Sequence, residues 1–370
     1  MEELFGSYLH RWLYGEHGYY RKALIGKDGD FYTAVSASKF FGGSIAYFLL
    51  SLLENGKINL PLSIIEIGTH NANLIVDIYE FLSALSEGVL EHTSFYIIEP
   101  LEELRNNQQY MLRLKGYPII HAKNLQDIPI NTRGDAFFVS NELFDAFSCE
   151  LILNNKLACI INSTPKQQKT KPISESSLDL QSNPNDNPKL IWRDFNAIDS
   201  LSNTDQVRFS KAFAFAERYG ITTGEVPIFW ETFVQEICSF SEHFRHWHFI
   251  SFDYAPLGNS GGFSLRGYKQ HRVLGFDEII ENLPILFGDC DITYDVDFTI
   301  LHKLFAQYGA RLIQQARLNT MLVDFGIISL LESYKKYASM KVYEREVLGV
   351  RTLLSGGLGE RFMGVWFSGG

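Results

Sequence analysis

The stretch Ser63–Asp77 constrains the fold of this chain more strongly than any other part of it. It begins with an apolar run around Glu66, is interrupted at Gly68, and continues through polar residues to apolar positions spaced as on one face of a helix. This order predicts a strand, a turn and a helix. In open parallel sheets such a turn lies at the carboxyl edge, where ligands bind and where the helix presents unpaired N–H groups. An acid in the strand, a glycine at its end and a polar turn suit a ligand of the adenosine type.

The segments after Leu62 predict an α/β fold with a parallel sheet, because strand patterns alternate with helical ones. The predicted strands cover residues 62–68, 95–99, 118–121, 136–140, 248–253, 311–315 and 361–367. The predicted helices cover residues 73–86, 101–114, 204–218, 227–241, 298–308 and 318–339, with a short helix from Glu142. Cys149–Ile161 predicts a hairpin that turns at Asn154-Asn155, since Asn tolerates the positive φ of tight hairpins.

Two segments differ from this pattern. Residues 1–60 predict an N-terminal helical cap, with helices near Glu2–Leu13 and Ser38–Glu54 joined by a long loop rich in glycine and aromatic residues. Such loops often carry function, although this one is equally compatible with a lid that only packs. Residues 61–370 then form the α/β domain, and the Ser-, Asn- and Lys-rich residues 162–188 predict a flexible surface insertion within it.

Charge and cysteine content exclude several classes of protein. The net charge of −10 argues against nonspecific binding to nucleic acid or to an anionic membrane, both of which need a basic surface. The four cysteines lack CxxC spacing, which favours reduced thiols over a disulfide framework or a zinc site. The N-terminus lacks a secretory signal pattern, and the most apolar run, Phe40–Leu53, falls short of the roughly 20 residues of a membrane span. We expect a cytoplasmic protein that binds no nucleic acid and inserts into no membrane.

Polar residues follow two more of the predicted strands. Glu99 ends the second strand, where a carboxylate can accept hydrogen bonds from ribose hydroxyls; capping of the helix from Leu101 is an equal alternative. Asn141 and Glu142 end the fourth strand and can line a pocket together with Asp145, or can simply cap a helix. By contrast, the histidines at 243, 246 and 248 predict no metal site, because a helix-to-strand change falls among them.

These residues resemble the motifs of a known enzyme class. Ser63–Asp77 resembles the first motif of class I S-adenosylmethionine (SAM) methyltransferases, Glu/Asp-x-Gly-x-Gly-x-Gly, with Glu66 and Gly68 in place but His70 and Ala72 at the next two glycine positions. From roughly Tyr8 to Leu330 the chain resembles the MidA-like family of SAM-dependent methyltransferases. The matching pieces include Gly18-Tyr19-Tyr20, Gly29-Asp30-Phe31-Tyr32-Thr33, Ser140-Asn141-Glu142-Leu143-Phe144-Asp145-Ala146, Glu225-Val226-Pro227, Asp253-Tyr254, Leu265-Arg266-Gly267-Tyr268 with His271, and Asp291-Ile292-Thr293 followed by Val296-Asp297-Phe298.

The resemblance implies a fold, a cofactor and a reaction. The fold is a class I SAM-methyltransferase-like α/β sheet of seven mostly parallel strands, with insertions after the fourth and fifth strands that roof the cleft. The cofactor is S-adenosyl-L-methionine, and the reaction is methylation of an arginine in a protein substrate. The implied cofactor-binding residues are Glu66, Gly68, Thr69, His70, Glu99, Asn141 and Glu142; the catalytic residues are Asp145, Asp253 and Tyr254; the substrate-binding residues are Asp30, Tyr32, Arg266, Tyr268 and His271.

Departures from the family pattern leave two alternatives open. Besides the two missing glycines, Ala255 replaces a glycine after Asp253-Tyr254, and Asp295 stands where the family usually has histidine. We therefore expect His70 to obstruct the cofactor, unless Asn71 or Asn73 supplies the positive φ that glycine usually provides. One alternative is a catalytically weakened or inactive binding or assembly factor with a methyltransferase fold. The other is a small-molecule methyltransferase.

Overall fold

The computed structural model describes residues 2–21, 33–129, 134–161, 188–256 and 262–370. The predicted substrate-binding residues Asp30 and Tyr32 lie outside the described residues. Residues 162–187 of the predicted insertion lie outside them as well.

Strands and helices alternate through most of the described chain. The strands are β1 (Glu2–Leu4), β2 (Leu62–Ile67), β3 (Thr93–Ile98), β4 (Ile119–Ala122), β5 (Asp135–Asn141), β6 (Glu150–Leu153), β7 (Lys156–Ile161), β8 (Lys189–Arg193), β9 (Thr223–Val226), β10 (Trp247–Tyr254), β11 (Arg266–Lys269), β12 (Arg272–Leu274), β13 (Asp291–Thr293), β14 (Arg311–Arg317) and β15 (Phe362–Gly369). The helices are α1 (Phe5–Tyr14), α2 (Ala34–Ala37), α3 (Phe40–Glu54), α4 (Asn73–Leu85), α5 (Glu87–Leu90), α6 (Glu102–Leu114), α7 (Asn203–Tyr219), α8 (Ile228–Ser241), α9 (Phe276–Glu281), α10 (Leu283–Leu286), α11 (Phe298–Gln307), α12 (Leu318–Asp324), α13 (Ile327–Tyr334) and α14 (Met340–Leu354).

The central sheet has seven strands in the order β14-β15-β10-β5-β2-β3-β4. Strands β4, β3, β2, β5 and β10 pair in parallel, whereas β15 is antiparallel to both of its neighbours. The chain extends the sheet from β2 through β3 to β4, and then returns to place β5 on the other side of β2. The direction of winding therefore reverses between β2 and β5, which is where open α/β sheets bind ligands. The predicted mostly parallel sheet of seven strands is confirmed.

Alternate residues of the central strands enter two separate cores, because successive side chains of a strand point to opposite faces. Ile64 and Phe137 pack on the face covered by α3, α4 and the C-terminal helices. Ile65 and Phe138 pack on the opposite face with α1, α8 and α11. All six residues of β2 are buried. Burial on both faces explains why this strand is an apolar run instead of an alternating pattern.

Two smaller sheets are inserted into the central fold. The first has the order β1-β7-β6-β9, with β8 also paired to β7; apart from β1, its strands lie in the chain between β5 and β10. The second has the order β12-β11-β13 and lies in the chain between β10 and β14. These are the predicted insertions after the fourth and fifth strands. The predicted hairpin is also correct, since Asn154 and Asn155 turn between β6 and β7 with φ of +50° and +61°.

Three local predictions were wrong, and one helix was missed. Glu2–Leu4 is a strand, because it pairs with Cys159–Ile161 of β7 and helix begins only at Phe5. No helix begins at Glu142, which adopts φ of +54° at the end of β5. The predicted helix over 318–339 is interrupted at Gly326, where φ is +84°. Helix α14 was not predicted at all; only Glu346, Val350 and Leu353 of its residues are buried.

Candidate functional site

A cavity of about 630 Å³ lies at the carboxyl ends of β2, β3, β4 and β5. Its volume is in the range of small-molecule sites. The central sheet forms its floor, and residues of α1, α8, β11 and β13 cover it from the other side. The cavity therefore lies beneath the second inserted sheet, at the reversal between β2 and β5.

The turn after β2 has the backbone conformation typical of three glycines, although two of those positions hold His70 and Ala72. Gly68, His70 and Ala72 have φ of +74°, +45° and +58°, all in the region that non-glycine residues rarely adopt. Asn71 and Asn73 do not supply positive φ, so that expectation is wrong. Gly68 also has little room for a side chain, because an added Cβ would lie 3.0 Å from Leu143 Cδ1 and that methyl group would have to shift.

The side chains of His70 and Ala72 occupy different environments. His70 lines the cavity beside Thr69 and Asn71. Ala72 is only 1% exposed and packs into the core beneath the turn. Only the side chain of His70 therefore faces the space that a ligand would occupy.

Glu66 holds the turn in place from below. Its carboxylate oxygen Oε2 accepts a hydrogen bond from the Ile75 N–H at 2.9 Å, which is in the first turn of α4. Burial raises the pKa of Glu66 to about 7, against the lowering effect of its hydrogen bonds with Thr69 and Ile75. Glu66 thus joins the end of β2 to the start of α4 while also lining the cavity.

Glu99 follows β3 and forms the wall of the cavity next to the turn. One carboxylate oxygen accepts the Leu101 N–H at 3.0 Å, and the other lies 3.4 Å from Gln108 Nε2. Gln108 Nε2 also donates to the His70 carbonyl at 2.7 Å. Burial raises the pKa of Glu99. The capping and ligand-binding interpretations are therefore compatible, since the carboxylate caps α6 and still lines the cavity.

The residues Glu142–Ala146, here called the acidic loop, begin where β5 ends. Asn141 Nδ2 donates to Glu142 Oε1 at 2.8 Å, which places both side chains on the cavity wall. Asn141 Oδ1 is buried and has no hydrogen-bond partner among the described residues. Desolvation raises the pKa of Glu142 well above its usual value. The wall thus offers an unused acceptor and a carboxyl group to a ligand.

Asp145 brings a second carboxyl group of the acidic loop to the cavity. Its Oδ2 accepts a hydrogen bond from Thr293 Oγ1 of β13 at 2.9 Å, which ties the loop to the second inserted sheet. Burial raises the pKa of Asp145 to about 6. The aromatic rings of Tyr14 and Tyr20 stack nearby with centroids 5.2 Å apart, and both line the cavity with Asp291. This end of the cavity therefore combines carboxyl groups with aromatic surface, a combination suited to cations.

The described residues fit S-adenosyl-L-methionine. The volume is sufficient, the turn presents backbone at positive φ, and Glu99 stands where an acid can accept hydrogen bonds from ribose hydroxyls. Asn141 Oδ1 remains available for a hydrogen-bond donor. The side chain of His70 is the feature that fits least well.

Residues 44–315 match the family model described as "Putative S-adenosyl-L-methionine-dependent methyltransferase". The chain belongs to this family. The predicted family and its cofactor, S-adenosyl-L-methionine, are thereby confirmed.

Part of the chain is similar in sequence to two curated relatives, and the whole chain is similar in fold to one solved structure. The chain is 26% identical over 151 residues to the protein arginine methyltransferase NDUFAF7, mitochondrial, of Bos taurus, and 26% identical over 152 residues to that of Homo sapiens. Each match covers 35% of this chain and 33% of the relative, so the chain spans about a third of the length of the curated relatives it matches. A crystal structure of a superfamily member from Burkholderia thailandensis bound to S-adenosyl-homocysteine has a TM-score of 0.72 and 19% identity; the match covers 100% of this chain and 88% of that one. It shows the shared fold.

Location in the cell stays a prediction. Within the described ranges, no helix has the length and apolar character needed to cross a membrane. The relatives are named as mitochondrial proteins, whereas we expected a cytoplasmic one.

Of the site residues predicted from Tyr254 onward, only some line the cavity. Tyr254 and Tyr268 line the cavity. Arg266 stands behind them, with its guanidinium 4.8 Å from the Tyr254 ring centroid and its Nε donating to the Tyr268 hydroxyl at 3.0 Å. His271 is exposed at the turn between β11 and β12, where it has φ of +63°, and does not line the cavity as described.

Asp253 is fully buried beneath the acidic loop and is not on the described cavity wall. Its carboxylate contacts backbone N–H groups of that loop. The predicted catalytic role would require contact with the substrate, which this placement does not provide.

Asp295 forms ion pairs with two arginines, Arg266 and Arg361. Its Oδ1 lies 2.6 Å from Arg266 Nη1 and 2.6 Å from Arg361 Nη2. The unusual acid at this position therefore forms ion pairs with two partly buried guanidinium groups behind Tyr254 and balances one of their two charges.

Several cavity residues escaped the sequence analysis. Lys123, Asn124 and Leu125 line the end next to Glu99, directly after β4. Their position at the carboxyl end of a third parallel strand is the signal that could have found them. Phe229 and Phe233 of α8 also line the cavity, but their spacing alone indicates an ordinary core helix.

The histidines that follow α8 have separate contacts. His243 Nδ1 lies 2.8 Å from the Phe240 carbonyl, and His248 Nε2 lies 3.4 Å from the Lys57 carbonyl. In the parts of the chain that the structure describes, no group of three or more His, Cys, Asp or Glu side chains could hold a metal ion.

Proposed function

We propose that this protein transfers a methyl group from S-adenosyl-L-methionine to a guanidine nitrogen of an arginine in a protein substrate. The observation that carries the proposal is that two chemically different sets of residues line one cavity. The first set, here called the cofactor half, is the turn after β2 with Glu99 and Asn141; the second set, here called the acceptor half, is the carboxyl groups of Glu142, Asp145 and Asp291 with aromatic rings. The names of the mitochondrial relatives support arginine as the acceptor.

The cofactor half would be held by residues of three strand ends. S-adenosyl-L-methionine supplies an electrophilic methyl group on a positively charged sulfur. Glu99 would accept hydrogen bonds from hydroxyl groups, Asn141 would accept one from an ammonium group, and the backbone at Gly68 would allow close approach.

The acceptor half would bind and orient a cation. The carboxyl oxygens of Glu142 and Asp145 can accept the N–H groups of a guanidinium, whose planar geometry favours paired hydrogen bonds and whose charge favours the ionised form of both groups. Transfer requires that the acceptor nitrogen release a proton. Burial raises the pKa of Asp145 to about 6, which makes its carboxylate more basic than an exposed one and suited to accept that proton for a short time.

Aromatic side chains would exclude water from the acceptor. Tyr14, Tyr20 and Tyr254 line this half of the cavity. A guanidinium that leaves water for such a site is oriented and partly desolvated, which lowers the barrier to a displacement at carbon.

The test has a binding arm and a transfer arm. Calorimetry should show binding of SAM and S-adenosylhomocysteine, and labelled SAM should methylate an arginine-containing peptide but not the same peptide with lysine. Asp145→Asn should lower transfer at least about a hundredfold, equivalent to ~2.7 kcal/mol, with SAM affinity retained. The control Asp277→Asn changes an exposed acid of α9 and should change neither quantity.

One observation favours the assembly-factor alternative. Two non-glycine residues in the turn, His70 and Ala72, are held at positive φ, and His70 faces the cofactor half. Absence of SAM and S-adenosylhomocysteine binding at millimolar ligand would refute the enzyme and place the assembly factor first. Cofactor binding with transfer to small cations but not to peptides would instead establish a small-molecule methyltransferase.

A further inference from the structure

Asp253 makes its contacts inside the protein. Its Oδ1 accepts the N–H groups of Leu143 and Phe144, each at 2.9 Å, and lies 3.4 Å from the N–H of Asp145. Its Oδ2 accepts the hydroxyl of Ser251 at 2.5 Å. A single buried carboxylate therefore gathers successive amides of the acidic loop.

The carbonyl groups of the same loop are held from the opposite direction. Phe144 O accepts hydrogen bonds from Trp230 Nε1 at 3.0 Å and from the Tyr294 hydroxyl at 3.1 Å. Ala146 O accepts the Tyr14 hydroxyl at 2.8 Å. Both donors and acceptors of this irregular backbone are thus satisfied, which is what a buried segment without helix or strand needs.

We propose that Asp253 is a positioning residue for the acceptor half: it fixes the acidic loop and thereby places the carboxyl groups of Glu142 and Asp145. The expected effect on acceptor binding rests on the proposed function, whereas the contacts between Asp253 and the acidic loop do not depend on it. The turn after β2 has a separate support in Glu66 and Gln108. Loss of Asp253 should therefore loosen the acceptor half and leave the cofactor half in place.

The nature of the contact explains why a carboxylate is needed. A carboxylate has only acceptors, so it can face several converging N–H groups at once. Asn keeps only one oxygen: if its NH₂ group faces the loop, the amides lose their acceptor, and if it faces Ser251 Oγ, which can accept, the loop amides meet a neutral amide oxygen that binds them more weakly than a carboxylate does. Asp253→Asn is nearly isosteric, so it changes this hydrogen bonding with little change in volume.

Hydrogen exchange tests the positioning directly and needs no substrate. In Asp253→Asn, amides of the peptide covering residues 142–146 should exchange at least tenfold faster, and those of residues 68–75 should be unchanged. Asp297→Asn is the matched control, because Asp297 also accepts two backbone N–H groups, at the start of α11. It should affect only its own helix. Unchanged exchange at residues 142–146 in Asp253→Asn would overturn the proposal.

A binding measurement tests the consequence for the acceptor. S-adenosylhomocysteine should bind Asp253→Asn within threefold of the parent, whereas an arginine-containing peptide added to the S-adenosylhomocysteine complex should bind at least tenfold more weakly. Equal weakening of both ligands would overturn the restriction to the acceptor half. If the parent complex binds no arginine peptide, the proposed acceptor is refuted, and the exchange result still decides the role of Asp253.

A milder variant keeps the test decisive if Asp253→Asn does not fold. Ser251→Ala removes the hydroxyl donor to Oδ2 but leaves the carboxylate in place. It should accelerate exchange at residues 142–146 by a smaller factor in the same direction. No acceleration in this variant, together with failure of Asp253→Asn to fold, would assign Asp253 to overall stability alone.

Discussion

Replacement of His70 by glycine should tighten the binding of SAM about tenfold. The side chain of His70 lines the cofactor half of the cavity, so a ligand must displace its ring. Forcing a side chain away from its preferred rotamer costs about 0.5–1.5 kcal/mol, and a tenfold change in affinity corresponds to ~1.4 kcal/mol. Because φ at this residue is +45°, glycine also fits the backbone without strain.

Two further variants separate the ring from the backbone. His70→Ala removes the ring but keeps a Cβ, so it should also tighten binding. Ala72→Gly is the matched control: Ala72 also has positive φ, but it is buried away from the cavity, and its change should leave SAM affinity within twofold. In that variant the relief of about 1–2 kcal/mol of left-handed strain is offset by a lost buried methyl of about 0.8 kcal/mol and by about 0.4–1 kcal/mol of unfolded-chain entropy. Stability should therefore change by less than about 1 kcal/mol.

Calorimetric titration of SAM into the parent and the three variants, with urea unfolding of each, measures both effects. Equal affinity of His70→Gly and a tightly binding parent would refute the reasoning, because the ring would then be harmless or would contact the ligand favourably. If none of the four proteins binds SAM, then residues outside this turn must also prevent cofactor binding.

Three other perturbations test structural features of the site and its surroundings. The pKa of Glu66 is raised to about 7 from 4.5, so the folded state binds the proton of this carboxyl group more tightly than the unfolded state does. The free energy of unfolding should therefore fall as pH rises from about 4.5 to 7. Urea titrations at several pH values should show this fall in the parent and a flatter dependence in Glu66→Gln. Gly6→Ala places a Cβ against the buried carboxylate of Glu150 and should destabilise the protein by about 1–3 kcal/mol. In the control Gly88→Ala the new Cβ meets nothing within 4 Å, so this change should be neutral or stabilising. Thermal unfolding that ranks the two variants in the opposite order would contradict the packing. Asp295→Ala leaves the guanidinium groups of Arg266 and Arg361 without their shared carboxylate and should cost about 3 kcal/mol, against less than about 0.5 kcal/mol for Arg272→Ala in an exposed pair; equal losses in urea unfolding would show that the pairing is not energetically important.

The central sheet could be predicted from sequence because its strands are buried on both faces and appear as apolar runs, as at Ile64 and Ile65. Glu66, Glu99 and Asn141 could be found because each lies near the end of such a run. The role of Asp253 could not, since its partners are backbone amides more than 100 residues away in sequence. Short strands such as Glu2–Leu4 were missed for the same reason: their partners are distant, and three residues carry no periodicity.

The strand Glu2–Leu4 and helix α1 place some of the earliest residues of this sequence against some of its latest partners. Gly6 donates to Glu150, 144 residues later, and Trp12 donates to the carbonyl of Cys290, 278 residues later. At synthesis rates of about 5–20 residues per second, Cys290 is made roughly 15–55 seconds after Trp12. Until then the Trp12 indole N–H lacks its native acceptor, although β6 and β7, which also pack against α1, are made earlier. The packing of α1 can therefore be completed only after Cys290 has been synthesised, and until then part of its apolar face is open to chaperones.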